Sequence, residues 1–402
     1  MMEIGPIWRA ARRSKTGPVL MALQIALTLA VIVNAVFIIQ QRITKITRPT
    51  GMDVENIVTV QSFGIGEDFD GQESVRRDIR ALGAIPGVVS VASTQAVPLS
   101  GSGWGTQLST DPEDDTTQVG GAQYFVSADA VAALGVTLES GRAFTSDDVE
   151  YPEDYGAPIS RIIITRAYLD ALFPDGGATA GATVYDNLGN PITVIGVLER
   201  MHGSWVGWDK LENVLLVPRV LPGGGAYYLV RTEPGQRDGV MPRVEETLVA
   251  LDDRRVVEGL RTHTEIKDRS YEGDRGMAVL LAVVVGLMIT VTAVGILGLA
   301  SLSVRQRIKQ IGTRRAIGAR RRDILRYFMT ENWMITTVGV VLGSLLAVGV
   351  NYWMVSSFEL ERLNPVYVPV GIVALWCLGL LAVLGPARRA SAISPAIATR
   401  TV

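Results

Sequence analysis

Nine cations lie between Val304 and Phe328: Arg305, Arg307, Lys309, Arg314, Arg315, Arg320, Arg321, Arg322 and Arg326, against one acid, Asp323. Ile308, Ile311, Ile317, Ile324, Leu325 and Phe328 are interleaved with them. Gly312 and Gly318 are expected to break the stretch into short helices. These residue types suit recognition rather than bond-making. Guanidinium groups supply charge-assisted hydrogen bonds, and apolar side chains supply anchors for a partner's groove. In that arrangement Ile311 and Ile317 fill the groove, the two glycines permit the turns, and Arg314 and Arg315 orient the contact. On charge alone the stretch is a topology anchor; the apolar interleaving asks for more.

Other chemistry lacks its residues. The chain has no Gly-Lys dipeptide, so it cannot carry the phosphate-binding lysine of a P-loop, and no G-x-S-x-G or H-E-x-x-H motif occurs. His202 and His263 are the only histidines, and Cys377 is the only cysteine. A zinc site is disfavoured by that spacing, and both histidines are expected to face solvent. The acid pairs Asp114-Asp115 and Asp147-Asp148 read as solvated faces. No metal and no cofactor is expected on this chain. Trp205 and Trp208, beside glycines in HGSWVGWDK, read either as an exposed partner or substrate contact or as domain core.

Four apolar runs must position the cationic stretch: Pro18 to Ile39, Met277 to Ser303, Trp333 to Val355, and about Val366 to Leu384. Each meets the length needed to cross a bilayer core of about 30 Å. A nine-cation segment between spans stays in the cytoplasm, which orients the rest. Residues 41–276 then lie outside, and they hold 35 acids against 21 Lys/Arg, while the remainder holds 5 against 17. That split fits an acidic external domain and basic cytoplasmic loops, and it excludes nucleic acid as a partner of the domain. Ionisable residues are otherwise absent within the runs, with Glu331 at the edge of the third, so a proton relay is disfavoured. Gly339, Gly343 and Ala347 recur every fourth residue in the third run. They permit close helix packing, within the subunit or against a second copy.

The expected fold class is an α+β membrane protein with four transmembrane helices and a large periplasmic α/β domain between the first two. Its segments are a cytoplasmic or interfacial start (1–17), helix 1 (18–40), the periplasmic domain (41–276), helix 2 (277–303), a cytoplasmic loop (304–332), helix 3 (333–355), a periplasmic loop (356–365), helix 4 (366–385) and a cytoplasmic tail (386–402). Within the domain, Ile57–Val60, Gln72–Ile85 and Val88–Ser93 read as strand, helix and strand, a βαβ-like pattern.

The stretch QIGTRRAIGARRRDIL (310–325), with Phe328 and Glu331, resembles the cytoplasmic loop of MacB/FtsX-type ABC transporter permeases. Gln310 departs from the usual Glu. YFVSADAVAALGVTLESGRAFTSDD (124–148), IIITRAYLDALFPDGGATAGATV (162–184), TVIGVLE (193–199), YYLVRTEPG (227–235) and the tail PARRASAISPAIATR (386–400) resemble the same family. The resemblance implies a porter of two βαβ halves at about 41–97 and 225–276, with a β-rich insertion at about 98–224. It implies that Ile308, Ile311, Gly312, Arg314, Arg315, Ala316, Ile317, Gly318, Ala319 and Asp323 form the coupling element. The implied partners are an ABC ATPase subunit that binds ATP and Mg, a second permease in a homodimer or similar heterodimer, membrane lipid and a periplasmic adaptor. The implied location is the bacterial inner membrane, and the implied role is substrate export by mechanotransmission, without enzymatic activity in this chain. Two alternatives remain at this stage: an FtsX-like signalling permease that transports nothing, and a membrane-anchored sensor or binding protein.

Overall fold

A computed structural model describes residues 16–66, 69–358 and 362–392. The expectations for 1–17, 356–365 and 386–402 fall partly outside these residues. The chain divides into a helical unit (1–47 with 274–402) and a second unit (48–273).

In the helical unit the four apolar runs form α1 (Thr16–Thr47), α7 (Glu272–Gln306), α9 (Arg321–Phe358) and α10 (Tyr367–Ala392). All four are long and apolar enough to cross a membrane. The small residues on α9 decide how close it comes to α1. A Cβ on Gly339 would stand 2.8 Å from the Ile25 side chain, and one on Gly343 would stand 2.8 Å from the Ala26 carbonyl oxygen. Ala347 is fully buried, and its carbonyl accepts a 3.1 Å hydrogen bond from Asn34 Nδ2. The Gly339–Gly343–Ala347 stripe is therefore occupied by α1 of the same subunit, which resolves the open choice against a contact with a second copy. Further polar pins join α1 to α7: Thr28 Oγ1 and Thr292 Oγ1 lie 2.7 Å apart, and Gln24 Nε2 donates to the Val291 carbonyl. At their far ends Arg42 pairs with Asp274 at 2.5 Å, so that cation is neutralised locally.

In the second unit the strands are β1 (Ile57–Gly64), β2 (Val88–Thr94), β3 (Trp104–Leu108), β4 (Val119–Val126), β5 (Leu138–Gly141), β6 (Arg161–Thr165), β7 (Thr183–Tyr185), β8 (Pro191–Leu198), β9 (Val214–Pro218), β10 (Gly225–Thr232) and β11 (Arg255–Thr262). They form one sheet in the order β11-β1-β10-β2-β4-β9-β6-β8-β5, with β3 on β4 and β7 on β8. The β11, β1, β10 and β2 neighbours are all antiparallel. Hence β1 runs parallel to β2 with β10 between them, and β10 runs parallel to β11 with β1 between them. Helix α2 (Gly71–Gly83) links the first pair and α5 (Arg237–Leu251) the second. The result is two interleaved βαβ units.

Helices α2 and α5 cover one face of these strands, burying Val58, Val60, Val75, Leu82, Tyr228, Val230, Val240, Val244 and Leu248. The intervening segment is no separate layer, since it extends the same sheet through the single pair Thr94↔Val126. Its central strands, RIIIT, PITVIGVL and VLLVP, carry the near-continuous apolar runs of strands covered on both faces. Three short helices complete the unit: α3 (Ala130–Leu134), α4 (Arg166–Leu172) and α6 (His263–Ser270).

Two sequence expectations are corrected here. His202 and His263 are both fully buried rather than solvent-facing. Asp148 is also buried, where it accepts from Arg142 at 2.6 and 2.9 Å, from Arg161 at 2.9 Å and from Thr145. It closes a capping box on the 3₁₀ turn Ser146–Asp148, and the Arg142 guanidinium holds its carboxyl well below the usual carboxylate range. Asp147 next to it stays exposed, as does Asp114.

Candidate functional site

The cationic stretch folds into a helical turn rather than an open loop. Helix α7 ends at Gln306, Arg307 breaks the helical dihedrals (φ −108°, ψ 13°), and α8 runs over Ile308–Ala316. Gly312 lies inside α8 and breaks nothing, so that expectation is corrected. Gly318 does break the chain, at φ +106°. The Ala319 N–H donates to the Arg314 carbonyl at 3.0 Å and the Gly318 N–H to the Arg315 carbonyl at 3.2 Å. This pair of bonds is a Schellman closure, which needs a residue tolerant of positive φ at the position of Gly318. Helix α9 restarts at Arg321, where Asp323 Oδ2 accepts from the Arg320 N–H at 2.9 Å. That carboxylate satisfies an otherwise orphaned donor at the positive end of the helix.

The apolar residues divide into an inward and an outward set. Ile311 is only 4% exposed and joins Val304, Ile324, Phe328, Ala387 and Ala390 in the core of the helical unit. It therefore cannot fill a groove on a partner, and that part of the sequence reading is corrected. Ile317, at the tip of the turn, is 82% exposed. Gly312 is buried, Ile308 and Ala319 are half-buried, and Ala316 and Gly318 are exposed.

The cations divide in the same way. Arg307 Nη1 donates to Glu331 Oε2 at 2.9 Å and to the Tyr327 hydroxyl at 3.2 Å. Arg315 Nη1 donates to the Ser391 carbonyl at 2.9 Å, tying α8 to the end of α10. Arg314 lies over the Tyr327 ring at 5.1 Å while remaining exposed. Lys309, Arg320, Arg321, Arg322 and Arg326 are exposed. The stretch thus exposes the apolar Ile317 and several cations, on a base pinned by Ile311, Arg307 and Arg315. The Arg307–Glu331 pair escapes a sequence reading, although both residues stand out there, because 24 residues and a helix reversal separate them.

Trp205 and Trp208 pack edge to face, with centroids 5.6 Å apart. Both are half-buried against the core that contains Tyr124 and Val214. Among the described residues no group of His, Cys, Asp and Glu could hold a metal ion.

Two family models match the chain. Residues 19–262 match the MacB-like periplasmic core domain, and residues 282–395 match the FtsX-like permease C-terminal domain. Among curated proteins, the macrolide export ATP-binding/permease protein MacB of Chromobacterium violaceum is 27% identical over 285 residues, covering 67% of this chain and 42% of that protein. MacB 1/2 of Paracoccus denitrificans is 28% identical over 360 residues, covering 84% and 49% respectively. The ABC transporter permease YvrN of Bacillus subtilis is 25% identical over 291 residues, 69% of each chain. This chain spans less than half the length of the two MacB relatives.

Proposed function

The chain belongs to the MacB/FtsX-type family of ABC transporter permeases, and from that premise we propose that it is a permease subunit driven by a separate ABC ATPase. The partner binds ATP and Mg, while this chain binds no cofactor and does no chemistry of its own. Closure of the ATPase pair moves the α8 turn, and the spans transmit the motion to the 48–273 unit, where substrate is handled for export. The chain acts with a second permease, as a homodimer or with a similar partner, in the inner membrane. A periplasmic adaptor completes the assembly. The match of the MacB-like model to most of the 48–273 unit favours this reading over an FtsX-like signalling permease.

The observation that carries the proposal is the exposed Ile317 at the tip of a rigidly closed turn. An apolar side chain held on a fixed base beside guanidinium groups combines the two kinds of contact that anchor and orient a docked partner. Ile317→Ser keeps every cation and removes no internal contact. An apolar hot spot contributes about 2 kcal/mol or more, so association should fall by over tenfold with membrane insertion unchanged. Arg320→Lys with Arg322→Lys should have a mild effect. Ile311→Ser should act differently, destabilising the helical unit by about 2–5 kcal/mol through a buried truncation. Co-purification of an ABC ATPase from the native membranes with each variant decides the matter. Full retention by Ile317→Ser would place the docking surface elsewhere.

The same reading fixes topology, with residues 304–332 in the cytoplasm and 41–276 and 356–365 outside. In a Cys377→Ala background, Thr313→Cys should resist an impermeant thiol reagent added to intact cells with permeabilised outer membranes. Labelling from outside would reverse the orientation.

A further inference from the structure

One edge of the sheet in the 48–273 unit is left open. Strand β3 pairs with β4 without a register shift, from Trp104↔Gln123 to Leu108↔Val119. Just past it, Ser109 and Tyr185 of β7 each donate a backbone N–H to the other's carbonyl at 2.9 Å. Along a strand these groups point alternately to the two sides. Ser109 points away from β4, so Gly105 and Gln107 point away as well. The β4 residues opposite them agree. The Ala122 N–H donates to the Asn213 carbonyl, and the Gly120 carbonyl accepts from Asn213 Nδ2, both on the β9 side. No described strand lies beside 104–108 on the outer side. Gly105 and Gln107 are exposed there, with their N–H and C=O groups turned to solvent.

The edges at the two ends of the sheet are guarded. Strand β11 carries Arg255, Glu258 and Arg261, a register shift opposite Thr59/Gln61, and Gly259 at φ +67°. Strand β5 carries Glu139 and a register shift between Leu138 and Ser140. Charges and bulges of this kind blunt an edge against strand addition. Strand β3, Trp-Gly-Thr-Gln-Leu, has no charge, no proline and no bulge. An edge without those devices is a template for another strand. We infer that the β3 edge takes up an extended segment of another protein, antiparallel to β3, with basic residues at that segment's N-terminal end.

Antiparallel pairing lets one incoming residue exchange both bonds with Gly105 and another with Gln107. The N-terminal end of that segment then lies beside Ser109, beyond which Asp111, Glu113 and Asp114 stand exposed. The chain from 97 to 107 holds no charge, so only this end of the edge attracts cations. An apolar residue opposite Gly105 would fill the space left by the missing side chain and cover Trp205, 4.0 Å from where a Cβ would stand. On the other face Trp104, 45% exposed and packed edge-on against Phe125, flanks the neighbouring residues of the segment. A second copy fits less well. With β3 against β3, Gln107 would face Gly105, and two regions of 35 acids against 21 Lys/Arg would approach.

The test uses the full chain in nanodiscs of zwitterionic phosphatidylcholine, so that lipid charge does not hold a basic probe. The probe is the end-blocked peptide Lys-Lys-Thr-Val-Thr-Phe-Thr, with Phe opposite Gly105 and Val opposite Gln107. Saturable binding by calorimetry is expected. N-methylation of the peptide's Val and Phe removes the donors of the new ladder. Gln107→Pro removes the chain's own donor on that edge without touching a bond to β4. Each should weaken binding about tenfold or more. The reversed peptide Thr-Phe-Thr-Val-Thr-Lys-Lys, of equal charge, should bind several-fold more weakly. Asp111→Asn with Glu113→Gln and Asp114→Asn should erase that difference. Val249→Ala, exposed on α5, should leave binding unchanged. Absence of binding, indifference to N-methylation or to Gln107→Pro, or equal binding of the reversed peptide would each overturn the assignment. The N-methyl comparison needs no variant chain, so it decides the matter if Gln107→Pro misfolds. A dimer that Gln107→Pro dissolves, with no peptide bound, would give the edge to a second copy and overturn it equally. No ATPase enters the measurement, so its failure and that of the permease reading are separable.

Discussion

Replacing Asp78 by Ala should destabilise the 48–273 unit by about 3–5 kcal/mol, the usual penalty for stranding one charge of a buried pair. Asp78 on α2 and Arg255 on β11 have almost no solvent exposure and lie 2.7 Å apart. Tyr228 on β10 donates to the same carboxylate oxygen at 2.7 Å, and Arg255 Nη2 donates to Ser74 Oγ at 3.0 Å. Burial raises the Tyr228 hydroxyl far above its ordinary pKa, so it remains a donor at every accessible pH. The cluster ties the helix of one βαβ unit to strands of the other. Asp78→Ala leaves the guanidinium buried without its counter-charge. The double variant Asp78→Leu with Arg255→Met removes both charges and should recover most of the loss. Urea midpoints followed by hydrogen exchange in β1, β10 and β11 provide the measurement. A loss below about 1 kcal/mol for Asp78→Ala would mean that the pair does not organise this fold.

Acidification should weaken the same unit between about pH 6.5 and pH 4. Burial alone lowers His263 to about 4. Burial chiefly lowers His202 to about 4 as well; Glu212, 3.5 Å away, opposes the shift, and Arg48 and Arg200 reinforce it. Both groups bind protons more tightly in the unfolded chain, near pH 6.5. Stability is therefore complete above 6.5, falls as pH drops, and levels off below about 4. Each histidine accounts for on the order of 3 kcal/mol across that window. Asp148 acts in a lower window, because its depressed pKa preserves stability until pH falls below the ordinary carboxylate value. His263→Leu should roughly halve the slope of stability against pH between 4 and 6.5, whatever its effect on absolute stability. An unchanged slope would show that the imidazole is not buried neutral.

The four segments apolar enough to cross a membrane and the family of the α8 turn were legible in the sequence. Apolar length, cation bias and a local motif are properties of contiguous residues, and each is set by what the bilayer and a short helix demand. The strand, helix and strand between residues 57 and 94 were legible for the same reason. The fate of particular residues was not. Ile311 and Ile317 look equivalent in sequence, yet one is core and the other tip, because a positive-φ glycine one residue beyond Ile317 ends the helix and turns the chain. Adjacent Asp147 and Asp148 differ because one occupies a capping position that points inward.

The histidines read as exposed because nothing local marks them as buried. They are enclosed by segments distant in sequence, such as the Thr50 carbonyl that accepts from the His202 N–H. The interleaving of β1 and β10 pairs residues about 170 positions apart, and the Asp78–Arg255 pair spans 177. The sequence by itself determined which four segments are long and apolar enough to cross a membrane and which family its loop belongs to. Tertiary structure alone decided which side chains the loop offers, which polar groups are buried and which strand edge is left open. Such outcomes depend on long-range strand pairing and helix reversal, which no local pattern of residues encodes.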